Sequence, residues 1–296
     1  MRGDFYGLPT RILHSPHLRL EFLAEAGPRI VRLYLQGSDE NQLAEVPDLG
    51  WETPYGDFFL RGGHRLWHAP ESFPRTNVPD NEGLMVQETD QGMRLCQPTE
   101  LDTGIRKSIE IHLHPDRPAV TLYHRLHNDG LWPLELAPWA ITQTPLGGVA
   151  VLPQQVGPLD EPGLQPNRHL VLWPYTRWHD QRLQPHDDYV LFQGQADPNP
   201  CKVGYFNRHG WIGYLHGDVF FCKRFEPQPS HPHPDFGCNV EVYGKDRFIE
   251  LETLAPLQRL APGQSTTHVE RWEFYTGLDT APTIAGIRAL VQALEL

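Results

Sequence analysis

Two glutamates near the end of the chain, Glu250 and Glu252, have a spacing that suits a binding or acid–base site. They lie in residues 248–254, whose alternating pattern is typical of a β-strand. The even-numbered residues then share one face, and the odd-numbered, mostly apolar residues share the other face, which suits a core. Two acids about 6.5–7 Å apart on one face of a nearly buried strand need partners. Sugar hydroxyls or an arginine could supply them.

A second group of candidate residues follows Gly62-Gly63 and consists of His64, Arg65, His68 and Glu71. Consecutive glycines permit a tight backbone turn, which would direct the following side chains into a cleft. Arginine can hold hydroxyl or carboxylate oxygens in a bidentate fork, and histidine can donate or accept a proton near neutral pH. His64 and Arg65 are the strongest candidates of this group for a role in the site, and His68 and Glu71 are weaker candidates for further contacts.

A proline-rich tract supplies His231, His233 and Asp235 at alternate positions. In an extended chain these side chains would project to one side, where a divalent ion could bind with a fourth ligand from elsewhere. No second ligand motif is evident, so a solvated loop is the competing interpretation. The turn at 207–211 adds His209, which could reach the rim of a pocket, and so could Lys202.

Composition excludes several classes of function. The net charge of −12 argues against nucleic acid and against an anionic membrane surface, since both need a basic protein surface. The chain has no glycine-rich nucleotide loop and no nucleophile elbow, so no cofactor is expected. The four cysteines are widely spaced, which predicts buried free thiols.

The N-terminal residues 1–16 lack the apolar core of a secretory signal, and no segment is long and apolar enough to span a membrane. We therefore expect a cytoplasmic protein. Its oligomeric state, monomer or homodimer, is left open.

Strand patterns dominate the chain and are separated by turns that contain Gly or Pro. This predicts an all-β protein, a large antiparallel β-sandwich in a single domain over residues 1–296. The predicted strands are 18–24, 30–35, 105–113, 119–127, 134–142, 149–152, 170–173, 189–193, 211–215, 219–225, 239–243, 248–254 and 267–274. The first two of these strands are predicted to form a hairpin, and so are the third and fourth.

One helix is predicted, over residues 282–294 at the C-terminus. Thr280 is a candidate N-cap, Pro282 suits the first turn, and apolar residues recur with helical spacing. This short helix should pack on the outside of the sandwich.

Several of these segments together resemble the galactose mutarotase-like superfamily, in which a large β-sandwich ("supersandwich") binds carbohydrate in an open cleft. The resemblance rests on residues 18–30, 61–71, 119–130 and 251–263. The sequence Gly-Gly-His-Arg-Leu-Trp-His-Ala-Pro-Glu, with Trp139-Ala-Ile-Thr-Gln143, is similar to an uncharacterised bacterial branch of that superfamily.

The resemblance implies an aldose 1-epimerase-like isomerase that acts on a free sugar or sugar acid, with Glu252 as base. Such a reaction also needs an acid that protonates the ring oxygen. The family's histidine has no counterpart in residues 138–143, so His64 or His209 is the expected acid. Trp139 would stack on the sugar, and Gln143 would bind a hydroxyl.

Two alternatives remain on the same scaffold. The absent histidine favours a carbohydrate-binding protein without turnover. A lyase or hydrolase that uses Glu250 and Glu252, with a metal at His231 and His233, is the other. In each case the partner is a small carbohydrate, whose identity and phosphorylation state the sequence leaves open.

Overall fold

The computed structural model describes all 296 residues, and strands account for most of its regular structure. In chain order the strands are β1 (Arg2–Phe5), β2 (Leu8–His14), β3 (Leu18–Leu23), β4 (Arg29–Leu35), β5 (Glu45–Thr53), β6 (Gly56–Gly62), β7 (His64–Ala69), β8 (Met85–Thr89), β9 (Gly92–Cys96), β10 (Ile105–Leu113), β11 (Ala119–Asn128), β12 (Leu134–Thr144), β13 (Val149–Pro153), β14 (Val171–Leu172), β15 (Leu183–Pro185), β16 (Tyr189–Gln193), β17 (Cys201–Tyr205), β18 (Trp211–His216), β19 (Val219–Arg224), β20 (Val240–Lys245), β21 (Phe248–Leu254), β22 (Gln258–Leu260) and β23 (Ser265–Tyr275).

These strands form two large antiparallel sheets. The first sheet has 11 strands in the order β1-β2-β3-β4-β7-β12-β21-β20-β17-β14, with β22 attached to β12. The second has 10 strands in the order β15-β16-β13-β18-β19-β23-β11-β10-β9-β8, and β5 and β6 form a separate hairpin. The all-β antiparallel sandwich predicted from the sequence is confirmed, as are the hairpins β3–β4 and β10–β11.

The two sheets enclose one cluster of 35 buried residues, which includes Ile249 and Leu251 of β21. Phe248 and Leu254, on the other face of β21, belong to a smaller cluster beneath the β5–β6 hairpin. The alternation predicted for residues 248–254 is therefore correct. The odd-numbered side chains face the core, and Glu250 and Glu252 face outward from the sandwich.

Strand β7 begins directly after two glycines whose backbone other residues could not easily adopt. Gly62 and Gly63 have φ of +95° and +69°, and a Cβ on Gly63 would lie 2.0 Å from the carbonyl oxygen of Ile30. These glycines allow β7 to enter the middle of the first sheet, between β4 and β12. Residues 64–69 are thus a central strand, which was not among the strands predicted from the sequence.

The C-terminal helix spans Ile284–Ala293 and packs against the outer face of the second sheet through Ile287, Leu290 and Val291. Its location was predicted correctly, but its N-cap is Thr283, whose hydroxyl accepts from Gly286 N–H at 3.3 Å. Thr280 lies too early in the chain to cap it. No helix of the protein has the length and apolar character needed to cross a membrane. All four cysteines are free and buried, as predicted.

Candidate functional site

A cleft of about 470 Å³ lies on the outer face of the first sheet, beside the β5–β6 hairpin. Aromatic side chains form much of its surface, and charged side chains project among them. The lining residues are Trp51, Leu60, Arg65, Trp67, Glu71, Phe73, Asn77, Trp139, Tyr175, Pro200, Lys202, Tyr243, Phe248 and Glu250.

Glu252 lies beneath the floor of this cleft and is fully buried. Its Oε2 accepts hydrogen bonds from Trp139 Nε1 at 2.7 Å and from Lys202 Nζ at 2.9 Å. Lys202 Nζ also lies 2.6 Å from Glu241 Oε2 and stands over the rings of Trp139 and Trp173. Trp139 and Lys202 therefore contact both the cleft and Glu252.

Lys202 is held as a cation. Burial alone would lower the pKa of its ammonium group, but Glu241 and Glu252 raise that pKa well above its ordinary value. One ammonium group between two buried carboxyls leaves an excess of negative charge. Burial raises the pKa of Glu241 well above that of an ordinary glutamate. Lys202 opposes this shift, and the nearby Glu252 adds to it.

Glu250 is bound at the cleft floor by two neighbouring strands. Arg65 Nη2 donates to Glu250 Oε1 at 2.8 Å, and Gln143 Nε2 donates to the same oxygen at 2.9 Å. The guanidinium of Arg65 lies 4.3 Å from the ring centre of Trp67. Burial raises the pKa of Glu250, and Arg65 opposes that shift. The predicted contacts Arg65, Gln143 and Glu250 thus meet in one hydrogen-bonded group.

Several buried polar atoms on this face have no hydrogen-bond partner in the protein. They include the donors Arg65 Nε and Nη1 and the acceptors Gln143 Oε1, Glu241 Oε1 and Glu252 Oε1. Buried polar atoms are nearly always paired, so a concentration of unpaired atoms calls for an explanation. Donors and acceptors together match hydroxyl groups, which both donate and accept.

Glu71 lies at the cleft edge, where the residue as a whole is exposed. The pKa of its carboxyl is nevertheless raised, mainly because the cleft walls exclude solvent from the group. Lys202 opposes this shift, and Glu252 and Asp235 add to it. The carboxyl of Glu71 is therefore within electrostatic reach of Lys202 and Glu252.

The histidines of β7 do not reach the cleft. Successive residues of a strand point to opposite faces, so Arg65 and Trp67 face the cleft while His64 and His68 face the core. Both histidines are completely buried. The expectation that His64 and Arg65 lie side by side in one site is therefore wrong in its geometry, because residues 64–69 form a strand.

His64 belongs to a hydrogen-bonded group between the sheets, which we call the core network: His64, His124, Lys223, His268 and Glu270. Its ring nitrogen Nε2 lies 2.7 Å from His124 Nε2, and its Nδ1 lies 2.9 Å from the hydroxyl of Thr142. His124 Nδ1 faces the carbonyl of His268 and must carry a proton there. Burial lowers the pKa of both rings, so both are neutral and His64 Nε2 donates to His124 Nε2.

The ligating atoms of His64, His124 and Glu270 lie close enough together to suggest a metal site. Two nitrogen ligands of tetrahedral zinc would be roughly 3.3 Å apart, given bonds of about 2.0–2.1 Å. The observed 2.7 Å is a hydrogen-bond distance. Lys223 Nζ, 2.9 Å from Glu270 Oε1, already supplies the positive charge there. A structural hydrogen-bond network accounts for this group better than a metal.

The remaining predicted residues lie away from Glu250 and Glu252. His209 is exposed, and its Nε2 lies 3.1 Å from the carbonyl of Gln154. His231 and His233 line a separate surface pocket. Asp235 is not among the residues that line that pocket. The three residues of the proposed metal tract therefore do not converge on one ion.

Sequence reasoning missed Glu241 and gave Lys202 only a peripheral place. A local signal exists for both, since Lys202 is the one charged residue of β17 and Glu241 lies between two valines in β20. The decisive information is the pairing of β20 with β21, which sets Glu241 directly opposite Glu252. That pairing could not be derived from the pattern of either strand alone.

The core network predicts a specific dependence of stability on pH. Burial lowers the pKa of His268 to about 3. In the unfolded chain the side chain of this histidine binds a proton near pH 6.5. The stabilising contribution is therefore complete above about pH 6.5 and is lost as the pH falls toward 3. We expect His268→Gln to reduce the pH slope of the unfolding free energy by up to about 1.4 kcal/mol per pH unit.

Urea unfolding of the wild type and the variant at several pH values from 7 to 5 measures this slope. Comparing the two proteins cancels the contribution of groups that they share. Equal slopes would contradict a neutral, buried His268.

The fold was compared with known proteins. No protein-family model and no curated protein sequence matches the chain. Solved structures do match it. A galactose mutarotase-like protein from Lactobacillus casei has a TM-score of 0.60 and 10% identity, over 90% of this chain and 100% of that protein.

Two further structures have similar scores. A candidate aldose 1-epimerase from Klebsiella pneumoniae has a TM-score of 0.57 and 11% identity, over 100% of this chain and 85% of that one. A TPR-domain containing protein from Parabacteroides distasonis has a TM-score of 0.61 and 13% identity, over 90% of this chain. The match spans only 47% of that longer protein. These likenesses show that the chain has the galactose mutarotase-like fold.

Proposed function

We propose that the protein binds a small carbohydrate in this cleft and interconverts its anomers as an aldose 1-epimerase-like isomerase. The observation that carries the proposal is the set of unpaired, buried donors and acceptors between aromatic walls. Aromatic faces pack against the C–H faces of a sugar ring, and polar groups between them bind its hydroxyls. The likeness to galactose mutarotase-like structures supports the same ligand class.

In this proposal Glu252 is the general base. Its Oε2 is fixed by Trp139 and Lys202, which leaves Oε1 without a hydrogen-bond partner to accept the proton of the anomeric hydroxyl. A carboxylate orientated by two donors is positioned for proton transfer. Arg65 and Gln143 would bind ring hydroxyls through their unpaired atoms. A cytoplasmic location is part of the proposal.

The test is polarimetry of freshly dissolved α-anomers across a panel of aldoses and sugar acids. We expect at least one sugar to reach its equilibrium rotation at a rate proportional to protein concentration. If every sugar equilibrates at the uncatalysed rate with folded protein present, isomerase activity is refuted.

A specific observation favours a second candidate, carbohydrate binding without turnover. No histidine lines the cleft, although the proposed reaction needs an acid as well as a base. This candidate predicts that a sugar raises the melting temperature without accelerating anomerisation. A ligand at 100 times its Kd would stabilise the protein by about 2.7 kcal/mol.

A further inference from the structure

A second pocket, of about 520 Å³, is lined by three segments of the chain, 159–169, 206–208 and 229–237. None of its lining residues is acidic, although the chain as a whole has a net charge of −12. We call it the arginine pocket, and its basic and imidazole side chains are Arg168, His169, Arg208, His231 and His233. A pocket with two guanidinium groups and no carboxylate favours an anion over a cation.

Arg208 is held in place, but its charge is not neutralised by the protein. The buried side chain of Asn207 accepts from the N–H groups of His209 and Gly210 at 2.8 and 3.0 Å, which fixes the turn that carries Arg208. The exposed guanidinium lies 5.4 Å from the ring centre of Phe206 and forms no hydrogen bond or ion pair within the protein. Its planar fork of donors is therefore available to bind a carboxylate, sulfate or phosphate group.

Arg168 is oriented mainly by a neutral group. Its Nη1 donates to the backbone carbonyl of Asp187, which directs the guanidinium without cancelling its charge. The carboxylate of Asp187 lies 3.9 Å from Nη2 and its side chain is 93% exposed, so solvent screens this ion pair. Arg168 thus adds a second positive charge to the pocket.

The histidines contribute hydrogen bonds to the pocket, and the arginines contribute its charge. Burial lowers the pKa of His169 and of His233, so both rings are neutral at pH 7. His233 Nδ1 donates to the carbonyl of His231 at 2.9 Å, which leaves its Nε2 as an acceptor. An acceptor in the same pocket as two arginines suits a ligand that has hydroxyl groups as well as a negative charge.

The arginine pocket and the candidate cleft lie on the same face of the first sheet. Lys202 of β17 lines the cleft, and Phe206, directly after β17, lines the arginine pocket. A strand rises by about 3.3 Å per residue, so these two residues are about 13 Å apart. On the same face between them, a Cβ on Gly204 would lie 2.8 Å from Cys238 Sγ. The chain at the end of the turn 234–237 therefore separates the two sites.

This turn, Pro234–Gly237, presents an aromatic side chain to the solvent. Phe236 is 91% exposed and has a φ of 59°, a conformation that residues with a side chain normally avoid. The carbonyl of the buried Pro234 accepts from Cys238 N–H at 2.9 Å, which holds the turn closed. An exposed ring on the turn between two pockets is suited to stack on the C–H face of a sugar.

We propose that the cleft, Phe236 and the arginine pocket bind one ligand, an acidic oligosaccharide. Its reducing end occupies the cleft, a further sugar ring stacks on Phe236, and its anionic group binds Arg168 and Arg208. The inference rests on the proposed function and names the substrate class. A single sugar ring in the cleft is too short to reach the arginines, so the ligand has more than one ring. Carboxylate, sulfate and phosphate share the oxyanion chemistry that arginine binds.

Isothermal titration calorimetry on the whole protein tests the proposal with three pairs of trisaccharides. Trigalacturonic acid is compared with its methyl ester, a sulfated galactotriose with galactotriose, and a phosphorylated maltotriose with maltotriose. In at least one pair we expect the acidic form to bind at least about 10-fold more tightly, the contribution of a charge-assisted hydrogen bond. The pair that shows the preference identifies the anionic group.

Arg208→Gln should abolish that preference and leave the affinity for the corresponding monosaccharide unchanged. The matched control is Arg117→Gln, which removes the same charge from an exposed residue in the turn between β10 and β11 and should keep the preference. Phe236→Ala should weaken the binding of both members of the pair by about 3-fold or more, again without an effect on the monosaccharide.

The outcomes separate this inference from the proposed function. If monosaccharides bind and anomerise but no acidic trisaccharide binds more tightly than its neutral form, the inference is overturned and the proposed function stands. A preference that survives in Arg208→Gln, or that is lost equally in Arg117→Gln, would also overturn it. If neither monosaccharides nor trisaccharides bind, the proposed function and the inference both fail.

Discussion

Replacing Glu252 by glutamine is expected to lower kcat for anomer interconversion by about 10²- to 10⁴-fold, the usual contribution of a general base. Glutamine has nearly the same shape and retains an oxygen that can accept from Trp139 Nε1. Lys202 keeps its ion pair with Glu241 at 2.6 Å, so the ammonium is not left unpaired. The fold and the cleft should therefore survive while the proton acceptor is lost.

Polarimetry on the best sugar gives kcat, and the sugar-dependent shift in melting temperature reports binding. Glu110→Gln is the matched control, because Glu110 lies on β10 of the other sheet and pairs with Arg94 there. Its activity should equal that of the wild type. An active Glu252→Gln protein would remove Glu252 from the mechanism, and unaltered sugar affinity together with full activity would place the binding site elsewhere.

The alternation of β21 was sufficient to predict which of its residues face the core and which face outward. The same rule, applied to residues 64–69, would have separated Arg65 from His64. The pair Gly62-Gly63 predicts a turn, and no strand was predicted after it. The glycines do form a tight turn, at which a Cβ would collide with neighbouring strands, and β7 begins directly after it. Local pattern is reliable only once the type of element is known.

The charged cluster beneath the cleft depends on contacts between distant parts of the chain. Lys202 meets Glu252 because β17, β20 and β21 are adjacent in one sheet. Glu241 lies opposite Glu252 because β20 pairs with β21. Such pairings come from sheet order and turn geometry, which the strand pattern does not encode. For this reason the outward-facing side of β21 could be predicted, and the neighbouring carboxyl of Glu241 could not.

The largest effect on stability is expected from Glu270→Gln in the core network. Lys223 and Glu270 are both completely buried, with 2.9 Å between Lys223 Nζ and Glu270 Oε1. Burial alone would raise the pKa of Glu270, but Lys223 and the neighbouring histidines together lower it below its ordinary value. Glutamine would leave the ammonium of Lys223 without a countercharge in the core. Breaking one side of a buried pair typically costs about 3–5 kcal/mol, out of a total stability of about 5–15 kcal/mol.

Urea unfolding at neutral pH measures the loss. The neighbouring pair of Arg224 and Glu273, on the same two strands, is partly exposed and serves as the matched control. Glu273→Gln should cost no more than about 1 kcal/mol, because solvent screens that pair. Combining Glu270→Gln with Lys223→Met removes the unpaired charge, so the double variant should recover most of the lost stability. If Glu270→Gln is as stable as Glu273→Gln, the buried ion pair does not contribute in the way its geometry implies.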